Sequence, residues 1–166
     1  MLRARTLAAL ALGTTVVVAC ASTALPGTQL GTFKVTAQSE TNTCGLGAPN
    51  PWTFDAELSQ SGSTIYWSWM DGSPLLSGSL NAASQVSITD TVGGNVDGTD
   101  AALGPCTMDR YDDLELDLGS GSFTGTLTYS FTVASGADCS DQLVASGGQY
   151  DALPCTVSYT VTASKQ

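Results

Sequence analysis

From residue 33 onward, apolar side chains return at every second position in a series of short runs. Phe33, Val35 and Ala37 fall on one side of an extended chain, with Lys34, Thr36 and Gln38 on the other. Successive side chains of a strand point to opposite faces, so this alternation predicts strands with one buried face. The same split sets Trp52, Phe54, Ala56 and Leu58 against Thr53, Asp55, Glu57 and Ser59. It recurs at Ile65, Trp67 and Trp69, at Leu76, Gly78 and Leu80, and more weakly at Val86, Ile88 and Val92. A Gly- and Asp-rich loop is expected from Gly93 to Pro105. Beyond it Leu114, Leu116 and Leu118 alternate with Asp113, Glu115 and Asp117. Phe123, Leu127, Tyr129, Phe131 and Val133 then oppose a row of Thr and Ser, and Val157, Tyr159, Val161 and Ala163 do the same near the end.

No comparable helical spacing occurs outside the N-terminal stretch. Two-faced runs separated by Gly, Ser, Asn and Asp predict an all-β domain, an antiparallel meander of about eight strands with one wet face. Periodicity is the same for an up-and-down barrel and a two-sheet sandwich. The barrel is favoured because closure removes the exposed edges a meander otherwise leaves. In strand count the arrangement resembles a lipocalin-like or avidin-like barrel.

The first residues follow a different pattern. Arg3 and Arg5 precede an uncharged stretch, Thr6 to Ala19, that ends in small residues. This is the layout of a secretory signal, and it falls short of the roughly twenty residues that span a bilayer as a helix. Val17-Val18-Ala19-Cys20 resembles the lipobox of bacterial lipoproteins. The resemblance implies cleavage before Cys20 and a diacylated cysteine as the mature N-terminus. Ala19-Cys20-Ala21 also satisfies an ordinary A-x-A site, which would leave Ser22 first and no lipid. The domain reading is therefore a signal peptide at 1–19, a lipidated N-terminus and flexible tether at 20–31, and one β domain at 32–166. Ala21 rather than Asp after the acylated cysteine implies, by analogy with lipoprotein sorting, the outer membrane.

With Cys20 assigned to lipid, the remaining cysteines of the 166-residue chain form an even set: Cys44, Cys106, Cys139 and Cys155. In an exported chain that set predicts two disulfides, and the absence of C-x-x-C argues against zinc or redox chemistry. If the strands simply run up and down, all four cysteines lie at one end of the meander. Cys139 with Cys155 and Cys44 with Cys106 is the preferred pairing, since the first closes a local loop. Cys44 with Cys155 and Cys106 with Cys139 is its rival, because first and last strands become neighbours in a closed barrel. Around Asn42-Thr43-Cys44-Gly45 and Leu153-Pro154-Cys155 the mature chain also resembles uncharacterised cysteine-containing lipoproteins of myxobacteria, which implies no activity.

Composition narrows the chemistry. There is no histidine, which removes Ser-His-Asp and Cys-His mechanisms and His-ligated zinc. Beyond residue 19 only Lys34, Arg110 and Lys165 are basic against fifteen acids, a side-chain balance of −12 that gives no support to nucleic-acid binding. No cofactor motif is present. Asp113, Glu115 and Asp117 read as a solvated face. Arg110 and Asp112, by parity, point inward near the cysteine rim, as a structural pair or a ligand-orienting one, unless Asp112-Asp113 marks a bulge. Asn95, Asp97 and Asp100 give oxygen atoms at spacings that resemble a calcium loop, yet the EF-hand glycine and glutamate are missing and an Asx-turn reading prevails. Trp67 and Trp69 are candidate ligand-wall residues, with Trp52 and Tyr66 in a sugar-stacking reading. The inward parity of Trp52, Trp67 and Trp69 equally suits a core.

Together these features imply a lipid-anchored envelope protein of non-catalytic type, binding a small ligand or envelope partner or serving as surface structure. The alternative is a glycan hydrolase using two carboxylates, which needs a pair about 5 to 9 Å apart in an aromatic cleft.

Overall fold

The computed structural model describes residues 24–47, 49–96 and 106–166. Eight strands follow in order: β1 Thr28–Asn42, β2 Trp52–Ser61, β3 Thr64–Ser68, β4 Leu76–Leu80, β5 Gln85–Val96, β6 Cys106–Leu118, β7 Ser122–Val133 and β8 Cys155–Lys165. Each pairs antiparallel with the next, and β8 pairs with β1, so the sheet closes into an up-and-down barrel. Two short 3-10 turns, Ser140–Gln142 and Val144–Ser146, lie in the β7–β8 connection. Cys20, Asp97 and Asp100 lie outside the described residues.

Alternation becomes burial. On β8, Cys155, Val157, Tyr159, Val161 and Ala163 are buried, while the Thr and Ser between them are partly or fully exposed. The waist of the barrel is filled. Trp67, Phe123, Leu58, Ile65, Ile88, Leu114 and Leu127 are each no more than 2% exposed. An aromatic column runs through them, from Phe33 to Phe123 (5.2 Å between centroids), to Trp67 (5.7 Å), and on to Trp69 (5.2 Å). Trp67 is thus a core side chain, and its buried Nε1–H has no hydrogen-bond partner among the described residues.

Two inward positions on the strands are glycine for a steric reason. A Cβ on Gly78 would overlap the Ser87 carbonyl oxygen of β5, and one on Gly125 the Glu115 carbonyl oxygen of β6. Neighbouring backbone crosses directly over these residues, which lets the sheet coil tightly enough to close.

The described structure corrects three expectations. Thr28–Gly31, assigned to the tether, belongs to β1, and the segment before it packs on the barrel, where the buried Ser59 hydroxyl donates to the Pro26 carbonyl at 2.6 Å. β5 runs through Gly93 and Gly94 to Val96, because the paired β6 starts at Cys106 and holds that register continuously. The disulfides are Cys44–Cys155 and Cys106–Cys139, not the preferred pairing. Closure explains them: Thr43 N–H donates to the Thr156 carbonyl beside the first bridge, and Ala134 N–H to the Thr107 carbonyl beside the second. Each bridge therefore staples two hydrogen-bonded neighbours. The 139–155 loop does not close on itself because Gln142–Tyr150 folds into its own turn, with Leu143 and Tyr150 forming a bridge.

Candidate functional site

All four bridging cysteines lie at one end of the barrel, as strand parity implies. At that end the wall is uneven. β3 and β4 are five residues each, whereas β5 and β6 have twelve and thirteen. β4 pairs with β5 only at Ser79–Ser87 and Leu80–Val86, so beyond Ile88 the inner edge of β5 has no β4 partner. The β3–β4 loop and the upper half of β5 therefore part, leaving a cleft of about 190 Å³ open to the mouth.

An ion pair forms the back of this cleft. β6 keeps unbroken register with both neighbours through Asp112 and Asp113, so there is no bulge, and parity points Asp112 inward. Asp112 is 8% exposed. Arg110, two residues earlier on the same face, donates from Nε to Oδ1 at 2.6 Å and from Nη2 to Oδ2 at 2.8 Å. This planar two-bond geometry is the strong form of an Arg–carboxylate contact. The Asp112 hydrogen bond raises the guanidinium pKa against the opposing effect of burial.

The flanking strands complete the cleft. Asp90 sits directly across from Asp112 on β5, and Tyr129 across from it on β7. The guanidinium carbon of Arg110 lies 5.3 Å from the centre of the Tyr129 ring, a cation–π contact. Burial first, and then the Asp112 charge, push the Tyr129 phenol far above its ordinary pKa, so it stays a hydrogen-bond donor at any ordinary pH. On the low side of the wall, Asp71 Oδ1 accepts from the Ser73 N–H at 2.9 Å. The Ser73 hydroxyl, and then its N–H, hold this exposed carboxyl below its ordinary pKa.

Aromatic planes form the remaining wall. Trp52, at the start of β2, and Trp69, just past β3, have near-parallel rings, 15° apart with centroids at 6.1 Å. Phe54 packs behind both, at 4.5 Å and 5.1 Å. Arg110 also borders a second hollow of about 180 Å³, with Val92, Asn95, Phe131 and Tyr150.

Of the residues singled out from the sequence, Trp52, Trp69, Arg110 and Asp112 meet in this cleft, and Tyr66 is not among its lining residues. Trp67 does not line it, being the core residue behind Trp69. Asn95 is committed to the sheet, its Oδ1 accepting from the Thr107 hydroxyl at 2.8 Å. Among the described residues no group of three His, Cys, Asp or Glu side chains could hold a metal ion. Strand alternation already turned Tyr129 inward, whereas sequence reasoning did not select Asp71 or Asp90. Asp90 carried a signal, because it interrupts the inward series Val86, Ile88 and Val92 with an acid.

The opposite mouth is larger, about 610 Å³, and of different character. Leu30, Phe33, Leu58, Leu80 and Leu118 line it beneath the Gly119–Ser122 turn and Lys165. Comparison with protein-family models, with curated proteins and with solved structures returned no match.

Proposed function

We propose that this chain is an exported, lipid-anchored protein of the bacterial envelope, at the outer membrane, that binds a small ligand at the disulfide-side mouth and catalyses no reaction. The observation that carries the ligand reading is the bidentate Arg110–Asp112 pair, which stands at the back of an aromatic-walled cleft instead of inside the filled waist. A purely structural barrel gains little from such a pair, because an apolar pair of similar volume would be about as stable.

Two further features support the reading. Paired disulfides belong to oxidising compartments, and here they lock the rim around the cleft. β1 enters the barrel at the end opposite that rim, and Cys20 lies four residues before Ala24. Four residue steps span at most about 14 Å, so a lipid on Cys20 keeps the Lys165 end near the bilayer and presents the cleft outward.

The hydrolase alternative draws on Asp90 facing Asp112 beneath Trp52 and Trp69. Against it, both Asp112 oxygens accept from Arg110, and a carboxylate held ionised by a bidentate guanidinium is a poor general acid and a weakened nucleophile.

Expression in a bacterium that processes lipoproteins tests the anchoring. Wild type should partition with the membranes and carry diacylglycerol on Cys20, and Cys20→Ala should be released as a soluble chain. A wild-type chain that begins at Ser22 without lipid would refute it.

A further inference from the structure

Resting on the ligand reading above, we infer that the cleft at the disulfide rim takes a single neutral sugar ring, the end or a side branch of a glycan. Size sets the first limit. At about 190 Å³ the cleft is smaller than the roughly 300 to 1,000 Å³ of pockets that enclose drug-sized molecules, so it admits one ring with the rest of the ligand outside. Shape sets the second. Trp52 and Trp69, stacked near-parallel on each other, both border the cleft and give it an aromatic side of the kind on which the flat C–H face of a pyranose packs.

The polar lining separates ligand classes. An anion would meet Asp71, Asp90 and Asp112 with a single guanidinium that Asp112 already holds. A cation would find acceptors, yet it would approach the Arg110 charge and leave the donors of Arg110 and Tyr129 unused. A ring bearing several hydroxyls uses both kinds of group at once. Each hydroxyl donates to a carboxylate and accepts from a guanidinium or phenol N–H or O–H. Asp71 is the outer contact, already ionised and exposed beside Trp69. Asp90 and the Arg110–Asp112 pair are the inner ones.

The test is saturation-transfer NMR and tryptophan fluorescence on the full mature chain. The probes are methyl glucoside, methyl mannoside, methyl galactoside and N-acetylglucosamine at millimolar concentration, with choline and acetate as charged comparisons. At least one pyranoside should receive saturation through its C–H face. Loss of a charge-assisted hydrogen bond in Asp71→Asn, an exposed site that leaves folding intact, should weaken binding about tenfold. Trp69→Ala should abolish it. The proposal is overturned if no pyranoside binds, or if binding survives both variants unchanged. A response to choline or acetate alone would reject the sugar and keep the ligand-binding mouth. Silence from all six probes would reject both.

Discussion

The two disulfides enclose loops of very different length, and this predicts an order of stability. Cys44 and Cys155 are 111 residues apart, whereas Cys106 and Cys139 are 33 apart. Cross-linking lowers the entropy of the unfolded chain in proportion to the logarithm of loop length. That relation gives about 4.8 kcal/mol for the first bridge and about 3.7 kcal/mol for the second at 25 °C. The shorter loop is nested inside the longer one, so whichever bridge is retained shortens the effective loop of the other. This lowers both figures by about 0.3 kcal/mol and leaves the difference at about 1.1 kcal/mol. Native-state terms largely cancel, because each bridge joins one cysteine that is 0% exposed to one that is 5% exposed. The comparison is between Cys44→Ala/Cys155→Ala and Cys106→Ala/Cys139→Ala, each unfolded by guanidinium at equilibrium with the slopes measured as well as the midpoints. The first double variant should be the less stable. A reversed order, with unfolding slopes that match, would refute the loop-entropy reasoning. Unreduced peptide maps linking Cys139 to Cys155 would refute the pairing itself.

Further perturbations probe the barrel and the cleft. Arg110→Met strands the buried Asp112 carboxylate and should cost about 1 to 3 kcal/mol in chemical denaturation, while Arg110→Met/Asp112→Leu should recover most of that loss. A double variant no more stable than Arg110→Met alone would mean that the pair is needed for the fold. Gly125→Ala drives a methyl group into the Glu115 carbonyl and should destabilise by about 1 to 3 kcal/mol, with a lowered Tm as the readout. An unchanged Tm would show that β6 and β7 can separate at that crossing. Burial, and then the Glu115 charge, raise the Asp113 carboxyl above its ordinary pKa. The folded state therefore binds this proton more tightly than the unfolded state, and the resulting penalty is absent below the ordinary carboxylate range and grows as pH rises through it. Asp113→Asn should accordingly raise Tm at pH 7 and leave it unchanged near pH 3; a gain of equal size at both pH values would contradict the assignment.

Strand parity carried far in this chain because the inner face of the sheet is buried through the waist of the barrel. A slip of one residue would have turned Leu114 and Leu116 outward and Asp113 and Glu115 inward, so alternation alone identified the faces. The same rule placed Arg110 and Asp112 inward at the cysteine rim, where they form a bidentate pair. Edge removal gave barrel closure its rationale, and closure in turn gave the rival cysteine pairing that the structure holds, while the preferred pairing rested on a short local loop. Cys139 and Cys155 are close in sequence, but the hydrogen-bonded pairing of β8 with β1 and of β6 with β7 decides the bridges. Gly93 and Gly94 read as loop because glycine is a poor strand former, whereas pairing with Asp109 and Met108 carries β5 through them. The cleft itself was the least legible feature. It exists because β4 is short and parts from β5, a mismatch of strand lengths that no single run of residues displays. Asp71 enters it from a loop, outside any parity argument.

Native mass spectrometry of the protein extracted from the envelope of cells that make it bears most directly on the reading as an anchored ligand binder. The account predicts a mature chain starting at Cys20 with diacylglycerol attached, and a second, noncovalent mass increment that is reduced in the Asp71→Asn variant and absent in the Trp69→Ala variant. A lipid-free chain starting at Ser22, with no bound mass or with one that both variants retain, would contradict it.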